Sequence, residues 1–531
     1  MSTSTVSEFL EQMLMESGGF GRFQIVQLAT ILGSKISITW SLLMMAFAGA
    51  TPNWWCQTGN STLSDQTDIN NASYWVKIEK SCEAKINGSM QTCPNKIFAT
   101  DMSTVVGEWN LVCDEKWVAS TVTSIQMAGL LLSGFLSGQL ADVIGRRPTY
   151  FFSLIIMSAS NIIAGFSTSW VMFAVMRFFI GLGCGMYLTV FYNYQIEFTP
   201  IRYRPLQIAI PDWSIWAACF GLVAWLLPNW SHLHIVTGVV TGMFLLSWWF
   251  IPESFRWLVS IGKLTEAGMV IKKIAKFNGK PVPKVDSLPA VVASDPSLVN
   301  GKKYTFLDVF RHREQLLKTV FAGIGWLSCG YGYYAISYGV EQLSGNLYLN
   351  MFLLSVVDIP ALIATMFFNN KLGRRWTCFG FFIVGFISTM SVAISQIIAM
   401  DETLRGKLVN GFALAAKLGV SAAWGALMTF TVEIYPTVIR NLGYGIQNSV
   451  SRVGAMVAPQ FVLISQDVTG VMYFLCGALM LLSAICCLFL PETKDKTILD
   501  TLSSEAGKSG PLDKSNVVLT DKQSVLETEK L

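Results

Sequence analysis

The sequence predicts an all-α membrane protein with twelve transmembrane helices, and two observations lead to this fold class. Charged residues make up only 14% of the 531-residue chain, whereas 52% of its residues are hydrophobic. The apolar residues also fall into twelve stretches, each long enough to approach the roughly 20 residues that a helix needs to cross a bilayer. This composition excludes a disordered chain, and the net charge of +4 does not indicate a nucleic-acid partner.

The twelve predicted spans cover most of the chain. Many contain Gly, Pro, Ser and Thr, which is usual in membrane helices because neighbouring helices satisfy the freed backbone groups. The spans are 22–50, 118–141, 149–167, 170–197, 205–228, 232–251, 317–341, 346–369, 376–399, 407–432, 437–463 and 468–490.

The distribution of Lys and Arg predicts the orientation in the membrane. Segment 252–318 holds 12 Lys and Arg against 6 Asp and Glu, and Arg146 and Arg147 follow the second span, so we assign both segments to the cytoplasm. Segment 51–115 holds 4 Lys against 8 Asp and Glu and is assigned to the exterior. We therefore expect a multi-pass plasma-membrane protein with both termini in the cytoplasm.

The outer loop, 51–117, has the chemistry of an extracellular segment. It contains four cysteines, which an oxidising exterior would join into two disulfide bonds with three possible connectivities. It also contains three N-glycosylation sequons. The cysteines are Cys56, Cys82, Cys93 and Cys113, and the sequons are at Asn60, Asn71 and Asn87.

Three motifs recur in the same order, 228, 236 and 239 residues apart. The repeat predicts two pseudo-symmetric six-helix halves, 22–251 and 317–490, which is the major facilitator architecture. A cytoplasmic helical linker, 252–316, joins the halves, and a cytoplasmic segment, 1–21, and a disordered tail, 491–531, flank them. The motifs are Asp142-x-x-Gly145-Arg146-Arg147 with Asn370-x-x-Gly373-Arg374-Arg375, Glu197-x-x-Pro200-x-x-x-Arg204 with Glu433-x-x-Pro436-x-x-x-Arg440, and Pro252-Glu253-Ser254 with Pro491-Glu492-Thr493.

The repeated motifs place Arg and carboxylate groups at the cytoplasmic ends of helices from both halves. We interpret them as a cytoplasmic gate that holds the halves together in the outward-open state and breaks in the inward-open state. The alternative is that they are positive-inside anchors without a switching role. The gate residues are Asp142, Arg146, Arg147, Glu197, Arg204, Glu253, Arg256, Arg374, Arg375, Glu433 and Arg440.

Further motifs carry a family resemblance over nearly the whole chain. Together with the Cys-rich loop, they resemble the solute carrier 22 family of organic ion transporters, nearest to its carnitine and zwitterion branch. The resemblance implies transport of small organic ions by alternating access. The motifs are Phe20-Gly21-Arg22-Phe23-Gln24, Glu108-Trp109-Asn110-Leu111-Val112-Cys113, Pro252-Glu253-Ser254-x-Arg256-Trp257 and Glu433-x-Tyr435-Pro436-Thr437-x-x-Arg440-Asn441.

Five ionisable residues lie near the middle of predicted spans, where a charge is costly and indicates function. They are Lys35, Asp212, Asp358, Lys417 and Arg452. The resemblance implies that Arg452 occupies a charge-selecting position, at which Arg suits a carboxylate, and that Asp212 faces the substrate cavity. Two alternatives stay open: Lys417 and Asp358 form a buried structural pair, or Lys35 or Arg452 simply pairs with Asp212 and leaves a neutral aromatic pocket.

Aromatic residues complete the predicted substrate site. Trp326 and Tyr333 are seven residues apart and share one helix face, and the resemblance implies that they line the central cavity. The weaker candidates are Tyr187, Phe191 and Tyr194 in the fourth span, Trp213 and Trp216 in the fifth and Trp424 in the tenth. Such rings attract an ammonium group by a cation–π interaction, whereas packing against lipid is the alternative role.

The predicted function is alternating-access transport of carnitine-like zwitterions or organic cations. An organic anion exchanger with Arg452 as the carboxylate site is one alternative, and a non-transporting receptor or scaffold is another. No motif predicts an enzyme, a metal site or a cofactor, and Na⁺ coupling stays open. The expected partners are the lipid bilayer and a small organic ion, for a functional monomer whose tail could bind a scaffold protein.

Overall fold

Helices lie at all twelve predicted span positions in the structure, a computed structural model. It describes residues 6–58, 76–79, 82–86, 89–93, 95–204, 210–293, 306–311, 313–398, 401–436 and 439–494. Within this part of the chain, eight helices are each long and apolar enough to cross a membrane, and a ninth candidate is bent by 43°. The others, a helix of 15 residues and two more polar helices, pack into the same bundle.

We number these helices as spans 1 to 12. The first half contains span 1, Arg22–Leu43 with its continuation Met45–Ala48, span 2, Trp117–Ile144, span 3, Arg146–Gly165, span 4, Trp170–Glu197, span 5, Asp212–Leu226, and span 6, Trp230–Met243 with the 3₁₀ turn Phe244–Trp249. The second half contains span 7, Arg313–Tyr338, span 8, Leu347–Val356 with Asp358–Leu372, span 9, Arg374–Ile397, span 10, Glu402–Ile434, span 11, Arg440–Asp467, and span 12, Val471–Phe489.

The repeated Pro-Glu motif caps the N-terminus of a span. Glu253, just after span 6, accepts the backbone N–H groups of Arg146 and Arg147, both at 3.1 Å, where span 3 begins. A carboxylate is favourable there because the first N–H groups of a helix have no partner within it. Gly145 precedes them with φ +110°, and a side chain at this position would collide with the Glu253 carboxylate.

The second half repeats this cap. Glu492 accepts the backbone N–H groups of Arg374 at 2.9 Å and Arg375 at 3.2 Å, where span 9 begins. Gly373 has φ +94°, and a side chain there would also meet the carboxylate of Glu492. The repeated Gly-Arg-Arg and Pro-Glu motifs therefore form the same helix cap in each half: the Glu of one motif binds the backbone N–H groups of the other.

The outer loop contains two small antiparallel sheets, which the sequence analysis did not predict. One has the strand order Val76–Glu79, Trp54–Thr58, Asn95–Phe98, and the other pairs Glu83–Ile86 with Ser89–Thr92. Both predicted disulfides form, and the structure selects one connectivity of the three. It joins Cys56 to Cys93 and Cys82 to Cys113. The sequons at Asn60, Asn71 and Asn87 lie outside the described residues.

Short helices cover the predicted cytoplasmic face of the first half. The N-terminal helix, Val6–Glu16, contacts the linker helix Leu264–Phe277. Asn278, which ends that linker helix, accepts the Phe23 amide N–H at 2.8 Å at the start of span 1. The linker up to Asn278 is therefore anchored to the first half, whereas its helix Phe306–Arg311 contacts spans 7 and 11 of the second half. Of the predicted disordered tail, only 491–494 is described.

Contacts between the halves close the predicted outer side of the bundle. Lys116, before span 2, donates to both carboxylate oxygens of Asp467 at the end of span 11, at 2.6 and 2.7 Å. The Tyr338 hydroxyl of span 7 donates to the Leu42 carbonyl of span 1 at 2.8 Å, and Ser124 of span 2 donates to a carbonyl of span 11. These contacts describe an outward-closed arrangement.

Candidate functional site

The ion pair between Lys35 and Asp212 joins span 1 to span 5. Lys35 Nζ is 2.6 Å from Asp212 Oδ2 and 4.7 Å from the ring centroid of Phe191 in span 4. Asp212 begins span 5, and its Oδ1 accepts the backbone N–H of Trp213. The two charged side chains are only 17% and 10% exposed. Of the alternatives that the sequence leaves open, the geometry supports pairing of Lys35 with Asp212.

Tyr333 connects the two halves at the centre of the bundle. Its hydroxyl donates to Asp358 Oδ2 of span 8 at 3.0 Å and accepts the indole N–H of Trp213 at 2.6 Å. Ser421 of span 10 donates to the other oxygen of Asp358. Trp213 belongs to the first half, whereas the other three residues belong to the second, so this short chain of hydrogen bonds crosses between the halves.

Lys417 of span 10 lies over the ring of the same tyrosine. Its Nζ is 3.1 Å from the ring centroid of Tyr333 and donates to the Ser337 hydroxyl at 2.7 Å. Lys417 and Asp358 do not form a direct ion pair, because each contacts Tyr333 instead. All of these groups are buried. The geometry therefore supports a structural role for Asp358 and Lys417 in the outward-closed state.

Arg452 of span 11 differs from the other central charges because its contacts are neutral. Its guanidinium donates to the Tyr334 hydroxyl at 3.3 Å and to Asn448 Oδ1 at 3.2 Å. Its buried Nε has no hydrogen-bond partner. Among the described residues, no carboxylate lies within 4 Å of the guanidinium. Arg452 thus retains the capacity to bind an external anion.

Three of the predicted aromatic residues, Trp326, Tyr333 and Trp424, form one cluster in the second half. Trp326 is fully buried, and its indole N–H donates to Thr431 at 2.8 Å. Trp424 is partly exposed and lies between Trp326 and Tyr333, with ring centroids 6.4 and 5.6 Å from theirs. Its buried indole nitrogen has no hydrogen-bond partner. Trp424 is therefore the ring of this cluster best placed to meet a solute.

Tyr194 lies outside this central group. It is fully buried near the end of span 4, and its hydroxyl donates to the Pro252 carbonyl just after span 6. Its ring contacts Tyr150 and Phe198 of the same half. These contacts support a packing role for Tyr194 in the outward-closed state.

The predicted gate residues pair within their own halves in this arrangement. Arg146 contacts Asp142 at 2.8 Å and Glu197 at 3.3 Å. Arg374 contacts Glu433 at 3.0 Å in the corresponding position of the second half. These ion pairs belong to a state that is closed on the outer side and therefore leave the predicted switching role open.

The other gate residues hold loops at the predicted cytoplasmic face. Arg147 donates to the Trp248 carbonyl and lies over that ring, Arg375 stacks near Trp376, and Arg440 begins span 11. Burial raises the pKa of the capping Glu253 carboxyl and lowers the pKa of the Arg256 guanidinium.

Glu11 is a participant that the sequence analysis missed. This residue of the N-terminal helix binds Arg256 at 2.7 Å, lies 4.0 Å from Arg204 and accepts the Ile201 amide N–H at 2.7 Å. The sequence feature that could have indicated this role is an acidic side chain on an amphipathic helix. The bridging role of Trp213 and the Lys116–Asp467 pair were also missed, because neither depends on a motif.

Comparison with known proteins agrees with this architecture. Residues 28–501 match the family model described as "Sugar (and other) transporter". Solved structures of the Escherichia coli xylose transporter XylE show the same fold. Its inward-open conformation has a TM-score of 0.62 at 15% identity, covering 90% of this chain and 98% of that one.

Curated relatives belong to a more specific group of transporters. The chain is 33% identical over 411 residues to solute carrier family 22 member 4 of Mus musculus, covering 76% of this chain and 72% of the relative. It is 31% identical over 411 residues to organic cation/carnitine transporter 2 of Homo sapiens, with 76% and 71% coverage. It is 29% identical over 527 residues to organic anion transporter 3 of Homo sapiens, with 94% and 93% coverage.

These matches confirm the resemblance and the major facilitator fold that the sequence predicts. The chain is a transporter and not an enzyme, and it belongs to the solute carrier 22 family of organic ion transporters.

Proposed function

We propose that this transporter carries small organic ions that bear a carboxylate, with carnitine-like zwitterions as its principal substrates. The observation that carries the proposal is the guanidinium of Arg452, which contacts only neutral groups and has no carboxylate partner in the part of the chain that the structure describes. A buried charge without a partner costs several kcal/mol, on the order of 3–5. A substrate carboxylate offsets that cost and matches the planar fork of an arginine.

The other end of a zwitterion would meet aromatic rings of the second half and a carboxylate of the first half. Trp424 and Tyr333 offer aromatic surface to an ammonium group, which is worth roughly 0.5–2 kcal/mol per ring. Asp212 offers a carboxylate once Lys35 moves away from it. The relatives named organic cation/carnitine transporter 2 support this substrate class.

Organic anions are the second candidate, and one observation favours them. The ion pair of Lys35 with Asp212 neutralises the carboxylate that an ammonium group would need. The relative named organic anion transporter 3 matches over 94% of this chain. An organic cation without a carboxylate is disfavoured, because it would bind near an unneutralised Arg452.

The transport cycle would alternate between closure on the outer side and closure on the predicted cytoplasmic side. Outward closure uses the Lys116–Asp467 and Tyr338–Leu42 contacts. For the opposite state, we propose that the Arg146 and Arg374 clusters, whose geometry is repeated in the two halves, bring the halves together at the predicted cytoplasmic face. The substrate would cross the membrane while the two halves move relative to each other, each half keeping its own helices together.

We also propose a plasma-membrane location with cytoplasmic termini and a glycosylated outer loop, acting as a monomer. The Lys and Arg excess in 252–318 supports the orientation, and the two disulfides of the outer loop are consistent with an oxidising exterior. Carbonate-resistant membrane fractionation, surface biotinylation and glycosidase treatment of tagged protein would test these points together.

An uptake panel tests the substrate class. Cells expressing the chain are given labelled carnitine, a quaternary cation without a carboxylate and an aromatic carboxylate, each with Na⁺ and with Na⁺ replaced. We expect uptake of carnitine above that of the quaternary cation. Uptake of the aromatic carboxylate alone would select the organic anion candidate, and uptake of the quaternary cation alone would overturn the role of Arg452. The absence of all uptake by surface-expressed protein would favour a receptor or scaffold.

A further inference from the structure

A cavity lies at the predicted outer side of the bundle. It has a volume of about 720 Å³, within the range of about 300–1,000 Å³ that small-molecule sites occupy. The outer loop lines it through Trp54 and the disulfide of Cys82 and Cys113, span 1 through Met45, and span 11 through Leu463. None of these residues belongs to the candidate substrate site.

This cavity is created by closure of the two halves. Its walls include both partners of the Lys116–Asp467 ion pair, which crosses between the halves at 2.6 Å. They also include Thr51, whose amide N–H is donated to Glu341 across the same boundary at 3.2 Å. When the outer ends separate, these walls move apart and the cavity loses its shape. It therefore exists only in the outward-closed state.

The charges around the cavity favour a cation. Three carboxylates line it, those of Asp114, Glu341 and Asp467, against one ammonium group, that of Lys116. The described lining residues therefore carry a formal charge of −2. Uncharged polar groups and apolar side chains share the remaining wall, and the apolar ones include Met45, Val106, Leu111, Val462 and Leu463.

We propose that this outer cavity is a regulatory site for an organic cation, bound from outside and only in the outward-closed state. The negative lining would attract the cation and the apolar wall would hold its carbon skeleton. The carboxylates stand on both halves, Asp114 on the first and Glu341 and Asp467 on the second, so a bound cation would join the halves. By linkage, a ligand that binds one state stabilises that state.

The consequence for transport follows from this state preference. An external cation in the cavity would delay the return to the outward-open state, in which substrate is collected. It would lower the maximal rate of uptake more than it raises KM, because it does not occupy the central site. A cation that competed at Arg452 and Trp424 would instead raise KM alone.

The bis-quaternary cation hexamethonium is a suitable probe, since its two charges match the formal charge of the lining. Purified full-length protein is titrated with hexamethonium while its thermal unfolding is recorded, so that binding is measured without transport. The test variant is Asp114→Asn with Glu341→Gln, which removes two charges but keeps oxygen acceptors, including the one that Thr51 uses. The control is Glu402→Gln, an exposed charge that pairs with Arg405 outside the cavity.

We expect hexamethonium to stabilise the unmodified protein and the control equally, and to need at least about tenfold higher concentration with the double variant. In uptake assays with a transported substrate, external hexamethonium should lower the maximal rate. The same stabilisation of the double variant would overturn the proposal, as would no stabilisation of the unmodified protein or inhibition that only raises KM. These outcomes do not depend on which organic ion is transported.

Discussion

Lys35 and Asp212 form an ion pair 2.6 Å long between spans 1 and 5, whereas Arg452 of span 11 has no carboxylate partner among the described residues. The central charges are therefore unequal in this state. One half neutralises its own carboxylate, and the other half keeps a positive charge near neutral hydroxyl and amide groups. Under the proposed function, this difference makes a carboxylate, more than an ammonium group, the substrate feature that the outward-closed state is prepared to bind.

Replacing Arg452 by lysine should separate charge from geometry. The substitution Arg452→Lys keeps the positive charge but removes the two-pronged hydrogen bonding to a carboxylate. A charge-assisted hydrogen bond contributes about 1.5–3 kcal/mol, so we expect kcat/KM for carboxylate substrates to fall about tenfold or more. Uptake kinetics normalised to surface protein provide the measurement. Unchanged kinetics with Arg452→Lys and also with Arg452→Ala would refute the carboxylate role.

Removing the ion pair between Lys35 and Asp212 should change which substrate charge the transporter prefers. In Lys35→Gln the carboxylate of Asp212 loses its partner, and we expect the ratio of carnitine to aromatic carboxylate uptake to rise. The matched control is Lys35→Gln with Asp212→Asn, which removes both charges and should recover the protein level lost through an unpaired buried charge. Equal loss of both substrates in Asp212→Asn would indicate a purely structural pair.

Breaking the Lys116–Asp467 pair should favour the outward-open state. Both side chains are substantially exposed, 41% and 60%, and such pairs contribute only about 0.2–1 kcal/mol. We expect Asp467→Asn to raise the outward-open population about two- to fivefold. The rate of labelling of Ser124→Cys by an impermeant maleimide reports this change, because Ser124 lies in the contact between the halves.

Charge reversal provides the control for that experiment. Lys116→Asp combined with Asp467→Lys restores an ion pair across the same boundary and should return labelling to the original rate. High ionic strength should weaken the effect of the pair, since exposed charges are screened. Identical labelling rates in all three proteins would show that the pair does not bias the conformation.

The raised pKa of the Glu253 carboxyl predicts that the stability of the folded protein depends on pH. Burial raises the pKa of this carboxyl above its ordinary value of 4.5, so the folded protein binds the proton more tightly than the unfolded chain. Its contribution to stability is therefore fully present below about pH 4.5 and is lost as the pH rises through the raised folded pKa. Thermal unfolding in detergent between pH 4 and about pH 8 measures this loss.

The variant Glu253→Gln should flatten that part of the stability profile, because the amide cannot ionise. Its effect on stability should be smallest at low pH, where the carboxyl of Glu253 is also neutral. Glu402→Gln, an exposed carboxyl, is the matched control and should leave the profile unchanged. A profile of Glu253→Gln parallel to that of the original protein would contradict the assignment.

The spans and their repeat were accessible from the sequence because they depend on composition and order. Twelve apolar stretches and motifs such as Gly145-Arg146-Arg147 require no knowledge of neighbours in space. The residues of the helix cap were predicted as gate residues, but the cap itself was not. It joins Glu253 to the start of a helix more than 100 residues away, which no local pattern reveals. The strands of the outer loop were also missed, since a short polar segment rich in cysteine has little periodicity.

The sequence by itself determined the fold class, the two halves, the cysteines available for disulfides and the short list of intramembrane charges. Each of these follows from which residues a hydrocarbon environment tolerates. Only the tertiary structure decided which cysteines pair, that Lys35 meets Asp212, and that Arg452 stays without a carboxylate. The physical reason is that pairing between charges depends on distances of a few ångströms across different helices, and those distances are set by packing rather than by spacing along the chain.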